Sequence, residues 1–430
     1  MGQHTSSYST SRWNGSLRRA ALAISLGLLV GMTMAQPEAA QAQTFSVLHA
    51  FNYNDGADPT AGLTMGGAGT FYGTAGLGGS KGGGVAFKLA QRGSGWILTP
   101  LYDFAPNMNY QPTAGLTIGP GGILYGSNTN NGRGGSVYEL QPPSSACKAA
   151  LCYWSESVLY NVNGSDGFPP SSGNVTFDPE GNIYGTMNGG YNGSPGTAYE
   201  LSQSGGQWSA SVLHTFIGGA NDGWAPQSSL ILDSAGNLYG TTAFGGADES
   251  CDIDGIAGCG TIFELSPSGG NWTEKILYNF SNNGTGTNPY GSLISDGAGG
   301  FYGTTLGGGA GGYAAVFELS PSGGGWNYSV LAGLPNCQTF TGVTMDSAGN
   351  LFGVCSERSM VFELSKSGGS WMFTDLHDFH VTDGADPLGP VALDAEGNLY
   401  GTTYEGGDTT GACGGQGCGV IWEIAGVGQR

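Results

Sequence analysis

Short hydrophobic runs alternate with turns rich in Gly, Asn, Asp and Ser along almost the whole chain. The runs return in a fixed order: a Leu-rich run that often ends in Asp, then Leu-Tyr-Gly-Thr, then Val-Phe-Glu-Leu, then a run from Trp to Leu-(His/Tyr)-x-Phe. Short apolar runs bounded by turn residues are typical of β-strands. Each unit therefore predicts four short strands, with tight turns such as Asp233–Asn237 and Ser-Gly-Gly hairpins between them.

The Tyr-Gly pair, or its Phe-Gly variant, marks the second strand of every unit. It occurs seven times, at a spacing of 48 to 63 residues. A period of that size carried by short strands predicts radial repetition of small sheets, as in a β-propeller. The copies begin at Tyr72, Tyr125, Tyr184, Tyr239, Tyr302, Phe352 and Tyr400.

The two ends of the chain share one unit. The last unit stops after its third strand, Val420–Ile424, and the missing fourth strand is found near the start, at Phe45–Phe51. We expect the N-terminal strand to complete the last blade and close the ring, because closure removes exposed sheet edges. The sequence thus predicts an all-β, seven-bladed β-propeller with four-stranded blades, forming a single domain over residues 43–430.

The repeated string itself is distinctive. Asn-Leu-Tyr-Gly-Thr-Thr at Asn237–Thr242, then Gly-Gly, then Gly-Thr-Ile-Phe-Glu-Leu at Gly260–Leu265, resembles the GloVer tandem repeat of bacterial exported proteins, the choice-of-anchor family. The resemblance covers residues 45 to 425 and implies an exported repeat protein without a defined biochemical role. Members of that family carry C-terminal anchors, whereas Ile424–Arg430 contains no hydrophobic tail or sorting signal, so we expect secretion rather than anchoring.

The N-terminal segment has the pattern of an export signal. Arg12, Arg18 and Arg19 precede an apolar stretch at Ala20–Met34. Ala40–Ala42 offers a small-residue cleavage site, and Ala35 is an earlier option. Residues 1–42 are therefore predicted to be a signal peptide, by the general or the twin-arginine route. We expect a secreted, periplasmic or cell-surface location.

The charge of the chain excludes some partners. With 32 Asp and Glu against 12 Lys and Arg, the formal net charge is −20. Binding to phosphate needs clustered Lys and Arg, so we expect neither nucleic acid nor an anionic membrane as a partner. No run in the predicted mature chain is long and apolar enough to span a bilayer. We expect a monomer that binds an extracellular polysaccharide or an exported protein.

The eight cysteines form four pairs of near neighbours. An even number in an exported chain favours disulfide bonds, whereas the spacings, without accompanying His, do not match a zinc–thiolate site. The predicted pairs are Cys147 with Cys152, Cys251 with Cys259, Cys337 with Cys355, and Cys413 with Cys418.

Two sets of loop residues are candidates for ligand binding. Aromatic side chains in the variable loops can stack on sugar rings, although aromatic residues of this fold also serve in packing. A recurring Asp-Gly-x-x-Pro theme in the loops between units can bind a cation or sugar hydroxyls, or can simply form turns. The aromatic candidates are Tyr110, Tyr191, Trp224, Phe244, Tyr290, Tyr313 and Tyr404.

An acidic insertion in the fourth unit is the sharpest feature outside the repeat. Asp248, Glu249, Asp252 and Asp254 lie within seven residues, next to the predicted Cys251–Cys259 bridge. Compact oxygen-rich loops suit Ca²⁺, although the register of an EF-hand is missing. The alternatives are a structural calcium site and a solvated acidic loop. No other cofactor is predicted.

Signals for catalysis are weak. His49, His214 and His377 occupy one repeat position where Tyr also occurs, which indicates a structural role. The glutamates of the third strands recur in the same way, and no nucleophile elbow or phosphate loop is present. The sequence therefore favours a non-enzymatic binding propeller for extracellular carbohydrate or another surface polymer. The alternatives are a polysaccharide-active lyase or hydrolase and a protein-interaction scaffold.

Overall fold

The structure, a computed structural model, describes residues 43–106, 110–130, 134–144, 152–162, 173–189, 195–253 and 255–427. Seven antiparallel sheets, each built on four strands, form the blades of a ring, so the predicted seven-bladed β-propeller is confirmed. The helices in these residues are three short 3-10 turns, Pro120–Gly122, Ala310–Gly312 and Gly414–Gln416. Within the same residues, no helix has the length and hydropathy to cross a membrane.

Each blade runs from a two-residue first strand to a long fourth strand at its other edge. The four strands of blades 1 to 3 are, in order, Thr64–Met65, Thr70–Ala75, Val85–Arg92 and Gly95–Asp103; Thr117–Ile118, Leu124–Asn130, Gly135–Gln141 and Ser155–Val162; and Thr176–Phe177, Ile183–Met187, Gly196–Ser204 and Gln207–Phe216.

Blades 4 to 6 follow the same plan. Their strands are Ile231–Leu232, Leu238–Gly245, Thr261–Ser268 and Asn271–Asn279; Ile294–Ser295, Phe301–Thr305, Ala315–Ser322 and Gly325–Gly333; and Thr344–Met345, Leu351–Cys355, Met360–Ser367 and Ser370–Asp378. Four additional strands lie in the loops: Tyr110–Gln111, Gly223–Pro226, Asp252–Ile253 and Ile256–Ala257.

Blade 7 is built from both ends of the described chain. Its first three strands are Ala392–Leu393, Leu399–Thr403 and Val420–Ala425, and Thr44–Ala50 supplies the fourth. The pairing runs antiparallel, from Thr44 opposite Ala425 to Ala50 opposite Val420. The predicted closure by the N-terminal strand is therefore confirmed.

The second and third strands are buried, and the fourth strands alternate between exposed and partly buried residues. Hydrophobic clusters lie between adjacent blades rather than within one. At the closing seam, for example, Phe51 and Ile421 of blade 7 share a cluster with Phe71 and Phe87 of blade 1. The repeated Trp residues contribute to such contacts, as the ring centroid of Trp96 lies 6.2 Å from that of Tyr400 in the neighbouring blade.

The Thr of the Tyr-Gly-Thr motif joins neighbouring blades by a hydrogen bond. Thr186 Oγ1 donates to the carbonyl oxygen of Ser228 at 2.8 Å, and Thr402 Oγ1 donates to that of Ala61 at 2.9 Å. Buried carbonyl groups need a partner, so this repeated bond helps to fix the packing of each blade on the next. The equivalent bond is made by Thr74, Thr241 and Thr304.

The repeated Asp turn is fixed by its own side chain. In blade 7, Asp394 Oδ1 accepts from the backbone N–H of Asn398, and Oδ2 accepts from the Asn398 side chain and from the Tyr400 hydroxyl at 3.0 Å. Tyr400 Oη also lies 2.9 Å from Glu423 Oε1, as Tyr184 does from Glu200 at 3.3 Å. This confirms the structural role predicted for these third-strand glutamates.

Candidate functional site

A β-bulge recurs in the fourth strand of every blade and sets the direction of the residue after it. In blade 3 the register shifts between the pairs Ala198–His214 and Tyr199–Val212, so that Leu213 is the extra residue. Bulges re-aim side chains and bend strands. Leu213 is buried, and the next position is occupied by His or Tyr in six of the blades.

The histidines at this position pair with the Asp of the Asp-Gly-x-x-Pro loops. His214 Nε2 lies 3.1 Å from Asp222 Oδ1, His49 Nε2 lies 3.1 Å from Asp55, and His377 Nε2 lies 3.3 Å from Asp383. Sequence reasoning treated the histidines and the Asp loops as separate features and missed this link.

These aspartates also bind the backbone of their own loops. Asp222 Oδ2 accepts from the N–H of Ile217 at 2.7 Å, and Asp383 Oδ1 accepts from that of His380 at 2.7 Å. The turn chemistry proposed for the theme is therefore present. The Asp-Gly-x-x-Pro theme also occurs at Asp166–Pro170, which lies outside the described residues.

At the seam between blades 3 and 4 a third polar side chain joins the pair. Glu274, on the fourth strand of blade 4, places Oε2 3.9 Å from His214 Nε2. One ligand atom from each of His214, Asp222 and Glu274 can be chosen so that all lie within 4.8 Å of one another. The site is shielded, since the Asp222 and Glu274 side chains are 11% and 10% exposed and that of His214 is 24% exposed.

This environment shifts two pKa values. Burial raises the pKa of Glu274 to about 7, and the charge of Asp222 acts in the same direction. Burial alone would lower the pKa of His214, but the hydrogen bond and charge of Asp222, with the charge of Glu274, outweigh it and the pKa is raised. Residues with strongly shifted pKa values are found at functional sites more often than elsewhere.

A second feature is an aromatic patch, which we define as Trp224, Phe244, Tyr290 and Phe340. The ring centroid of Tyr290 lies 6.0 Å from that of Phe244 and 5.6 Å from that of Phe340, with edge-to-face geometry in both pairs. Trp224 lies opposite Phe244 in the sheet and packs in the same cluster.

The members of the patch differ in exposure. Phe340 is 37% exposed, Trp224 and Tyr290 are partly buried, and Phe244 is 4% exposed, so Phe244 supports the other rings and offers no open face. Phe340 was missed by the sequence because it lies in the connection before blade 6, outside the repeated string. Among the described residues, no ring contact joins Tyr313 or Tyr404 to this patch.

The patch borders the central channel. A cavity of about 420 Å³ is lined by the inner segments of blades 2 to 7 and includes Phe340 itself. Ligand sites commonly measure about 300–1,000 Å³. The hydroxyl and amide groups in its lining belong to Thr117, Asn174, Ser229, Ser292, Thr341 and Thr344.

Tyr404 lies in a separate acidic group at the seam between blades 7 and 1. Burial raises the pKa of Asp58, although a hydrogen bond with Tyr404 lowers it in part. Burial also raises the pKa of Glu405, with the charges of Asp386 and Asp58 in support. Three carboxylates and a phenol therefore meet beside the loop after the second strand of blade 7.

In the acidic insertion of blade 4, two of the carboxylates already accept hydrogen bonds from backbone N–H groups. Asp248 accepts from the N–H groups of Ser250 and Asn282, at 3.0 and 3.1 Å, and Asp252 accepts from that of Gly255 at 2.9 Å. Glu249 is exposed. The insertion is held by the Cys251–Cys259 disulfide and by the hairpin of Asp252–Ile253 with Ile256–Ala257.

Three of the predicted disulfides are present: Cys251–Cys259, Cys337–Cys355 and Cys413–Cys418. Cys152 is also disulfide-bonded, whereas Cys147 lies outside the described residues. Asp254, Tyr191 and the side chain of Tyr110 lie outside them as well, so their predicted roles stay predictions.

The fold and its repeated motifs define a seven-bladed repeat propeller. The chain matches the family model of the Gloeobacter/Verrucomicrobia repeat over residues 153–359 and 251–426, more than half of its length, and it belongs to that family. This confirms the resemblance to the GloVer repeat. No curated protein matches the chain.

Solved structures share the fold at low sequence identity. Virginiamycin B lyase from Staphylococcus aureus is 15% identical, with a TM-score of 0.53 over 89% of this chain and 99% of the lyase. A catalytically inactive variant of that lyase with quinupristin is 13% identical, with a TM-score of 0.53 over 89% and 99%. A gluconolactonase from Xanthomonas campestris is 14% identical, with a TM-score of 0.39 over 71% and 82%. The likeness to the two lyase structures, at 15% and 13% identity, shows the fold alone and assigns no reaction.

Proposed function

We propose that this protein is an exported, non-catalytic propeller that binds an extracellular carbohydrate, or another hydroxyl-rich surface polymer, at the aromatic patch and the adjoining channel. The observation that carries the proposal is the contact between Tyr290 and Phe340, which joins the aromatic cluster of blade 4 to a cavity lined with hydroxyl groups. Aromatic faces suit the C–H faces of sugars, and hydroxyl and amide groups suit their oxygens.

The side chains that line the channel also offer hydrogen-bond donors to a ligand. Ser229 Oγ accepts from the N–H of Asn174 at 2.7 Å, and Ser292 Oγ accepts from that of Ser229 at 2.9 Å. A hydroxyl that accepts one bond keeps its own proton for donation. Both serines therefore remain able to donate to a ligand, which favours a neutral, oxygen-rich molecule.

An extracellular location is part of the proposal. Disulfides persist in oxidising compartments, and the three fully described pairs agree with export. We keep residues 1–42 as the proposed signal peptide and residues 43–430 as the mature domain. Mass spectrometry of the secreted protein tests this assignment, which predicts a new N-terminus after Ala42.

A calcium ion in the acidic insertion of blade 4 is a subordinate proposal. The closeness of Asp248, Glu249 and Asp252 in the sequence supports it, and the hydrogen bonds that Asp248 and Asp252 already make weigh against it. If Ca²⁺ binds there, it raises the melting temperature, and Asp252→Asn reduces that rise. An equal rise in the variant would contradict the assignment.

Binding is tested first by retention on a panel of immobilised neutral and acidic polysaccharides. The proposal predicts retention on at least one polymer, with no new reducing ends or unsaturated sugars after long incubation. Release of such products would instead favour a polysaccharide-active lyase or hydrolase, for which Asp58, Asp386 and Glu405 are the candidate carboxylates. No retention, together with capture of one specific exported protein, would favour the scaffold alternative.

A further inference from the structure

The seam between blades 3 and 4 holds three metal-ligating side chains from three separate segments. His214 comes from a fourth strand, Asp222 from the loop that follows, and Glu274 from the fourth strand of the next blade. The separations of 3.1 and 3.9 Å from His214 Nε2 bracket the roughly 3.3 Å expected between two ligands of a tetrahedral ion with bonds of about 2.0 Å.

Glu274 provides the independent observation that points to a missing partner. Its side chain is 10% exposed, and Oε1 has no hydrogen-bond partner among the described residues. Oε2 is too far from His214 for a hydrogen bond. A carboxylate buried without a partner costs free energy, so such a group normally has a hydrogen bond, a counter-charge or a metal ion.

The neighbouring groups already hold the first two ligands in position. Asp222 Oδ2 accepts from the Ile217 N–H, which orients the carboxylate while Oδ1 faces His214. Outer hydrogen bonds of this kind are a regular feature of metal sites.

The same chain contains two natural controls. His49–Asp55 and His377–Asp383 repeat the pair, but the residues that correspond to Glu274 in their next blades are Leu98 and Phe45, as the strand register shows. Phe45 stacks on His377, with ring centroids 3.7 Å apart. Among the three described His–Asp pairs, only the one at the seam between blades 3 and 4 faces a carboxylate; the corresponding Glu156 of blade 2 faces Tyr102 instead and accepts a hydrogen bond from its hydroxyl.

We propose that His214, Asp222 and Glu274 bind one divalent transition-metal ion, and that this ion links blades 3 and 4. One imidazole with two carboxylates suits zinc and its first-row neighbours better than Ca²⁺, which prefers six to eight oxygen ligands. The remaining exposure of His214 leaves room for a water molecule as the fourth ligand. This proposal does not depend on carbohydrate binding.

The test is a calorimetric titration of Zn²⁺ into the purified protein after removal of metals with a chelator. One Zn²⁺ is expected per chain, with at least a ~10-fold loss of affinity in Glu274→Gln and in Asp222→Asn. His377→Gln, which removes a His–Asp pair that lacks a third ligand, is the matched control and is expected to bind as the parent does. Circular dichroism verifies that each variant is folded.

Cobalt gives a second reading of the same site, because Co²⁺ in a four-coordinate site absorbs visible light far more strongly than hydrated Co²⁺. The proposal predicts this absorption in the parent and in His377→Gln, and its loss in Glu274→Gln. Absence of stoichiometric Zn²⁺ binding in the parent overturns the proposal. So does equal binding by the folded Glu274→Gln and Asp222→Asn variants, which would place the ion elsewhere.

Discussion

The backbone of Gly401 lies directly against the indole ring of Trp422 on the neighbouring strand of blade 7. A Cβ atom at Gly401 would overlap Cζ2 of that ring, closer than any normal contact. The Gly of the Tyr-Gly motif is therefore one half of a steric pair whose other half is the aromatic residue of the third strand. The remaining pairs are Gly73 with Phe87, Gly126 with Tyr138, Gly185 with Tyr199, Gly240 with Phe263, Gly303 with Phe317, and Gly353 with Phe362.

Gly240→Ala tests this pairing. Its Cβ would meet Phe263 Cζ at 2.7 Å, so we expect a loss of about 1–3 kcal/mol in the free energy of unfolding, measured in urea. Adding Phe263→Leu should recover part of that loss relative to Phe263→Leu alone, because the ring no longer fills the space. Gly95→Ala, where a Cβ meets nothing within 4 Å, is the control. Additive effects of the two substitutions would contradict the pairing.

Thr402→Val tests the hydrogen bonds between blades at the seam where the chain closes. The substitution keeps the shape of the side chain but leaves the buried Ala61 carbonyl group without its donor, so we expect a loss of about 1–3 kcal/mol in unfolding free energy. Blade 6 carries Val354 at the equivalent position, which shows that the site accommodates valine. Thr99→Val on an exposed strand face should change stability by less than about 0.5 kcal/mol, and an equal effect at both sites would refute the role of the bond.

The three described disulfides should differ in their contribution to stability. In the loop-entropy account, the Cys337–Cys355 bridge, with a sequence separation of 18, stabilises by about 3 kcal/mol, and the Cys413–Cys418 bridge, with a separation of 5, by about 2 kcal/mol. Denaturation of paired Cys→Ala variants under oxidising conditions measures the order. A larger loss from the Cys413–Cys418 pair would show that local strain or packing dominates.

Asp58 should make the stability depend on pH. Burial raises its pKa in the folded protein above the ordinary value of 3.8, so the folded state binds more protons than the unfolded state just above pH 3.8. Stability is therefore lost as the pH rises through this window. Asp58→Asn removes the buried charge, retains an acceptor for Tyr404 and should be more stable than the parent at pH 7. The difference should vanish below pH 3.8, and a difference independent of pH would contradict this origin.

The repeat made much of the fold predictable. Each strand carries its own pattern, and the unpaired strand at Phe45–Phe51 predicts closure because the last unit lacks its fourth strand. The three described disulfides could be predicted because the two cysteines of each pair are close in the sequence. The His214–Glu274 contact did not, because it joins residues of two blades whose facing positions depend on the bulge and on the packing of one blade on the next.

The candidate binding surface was predictable only in part. Trp224 and Tyr290 stand out as aromatic residues in variable loops, but whether such residues converge depends on the path of each loop. Phe340 lies in an irregular segment that no motif marks, and Phe244 turns its ring into the core. The sequence thus indicates that aromatic side chains are present in the loops, but the structure is needed to identify which of them form the patch.

The most direct test of the proposed function is a calorimetric titration with the polymer that the protein retains. We expect Tyr290→Ala and Phe340→Ala each to weaken binding about 10-fold, since one aromatic contact contributes on the order of 1 kcal/mol or more. Tyr153→Ala, which removes a 50% exposed ring in blade 2, should bind as the parent does. Unchanged affinity in both patch variants, or an equal loss in Tyr153→Ala, would contradict binding at the aromatic patch.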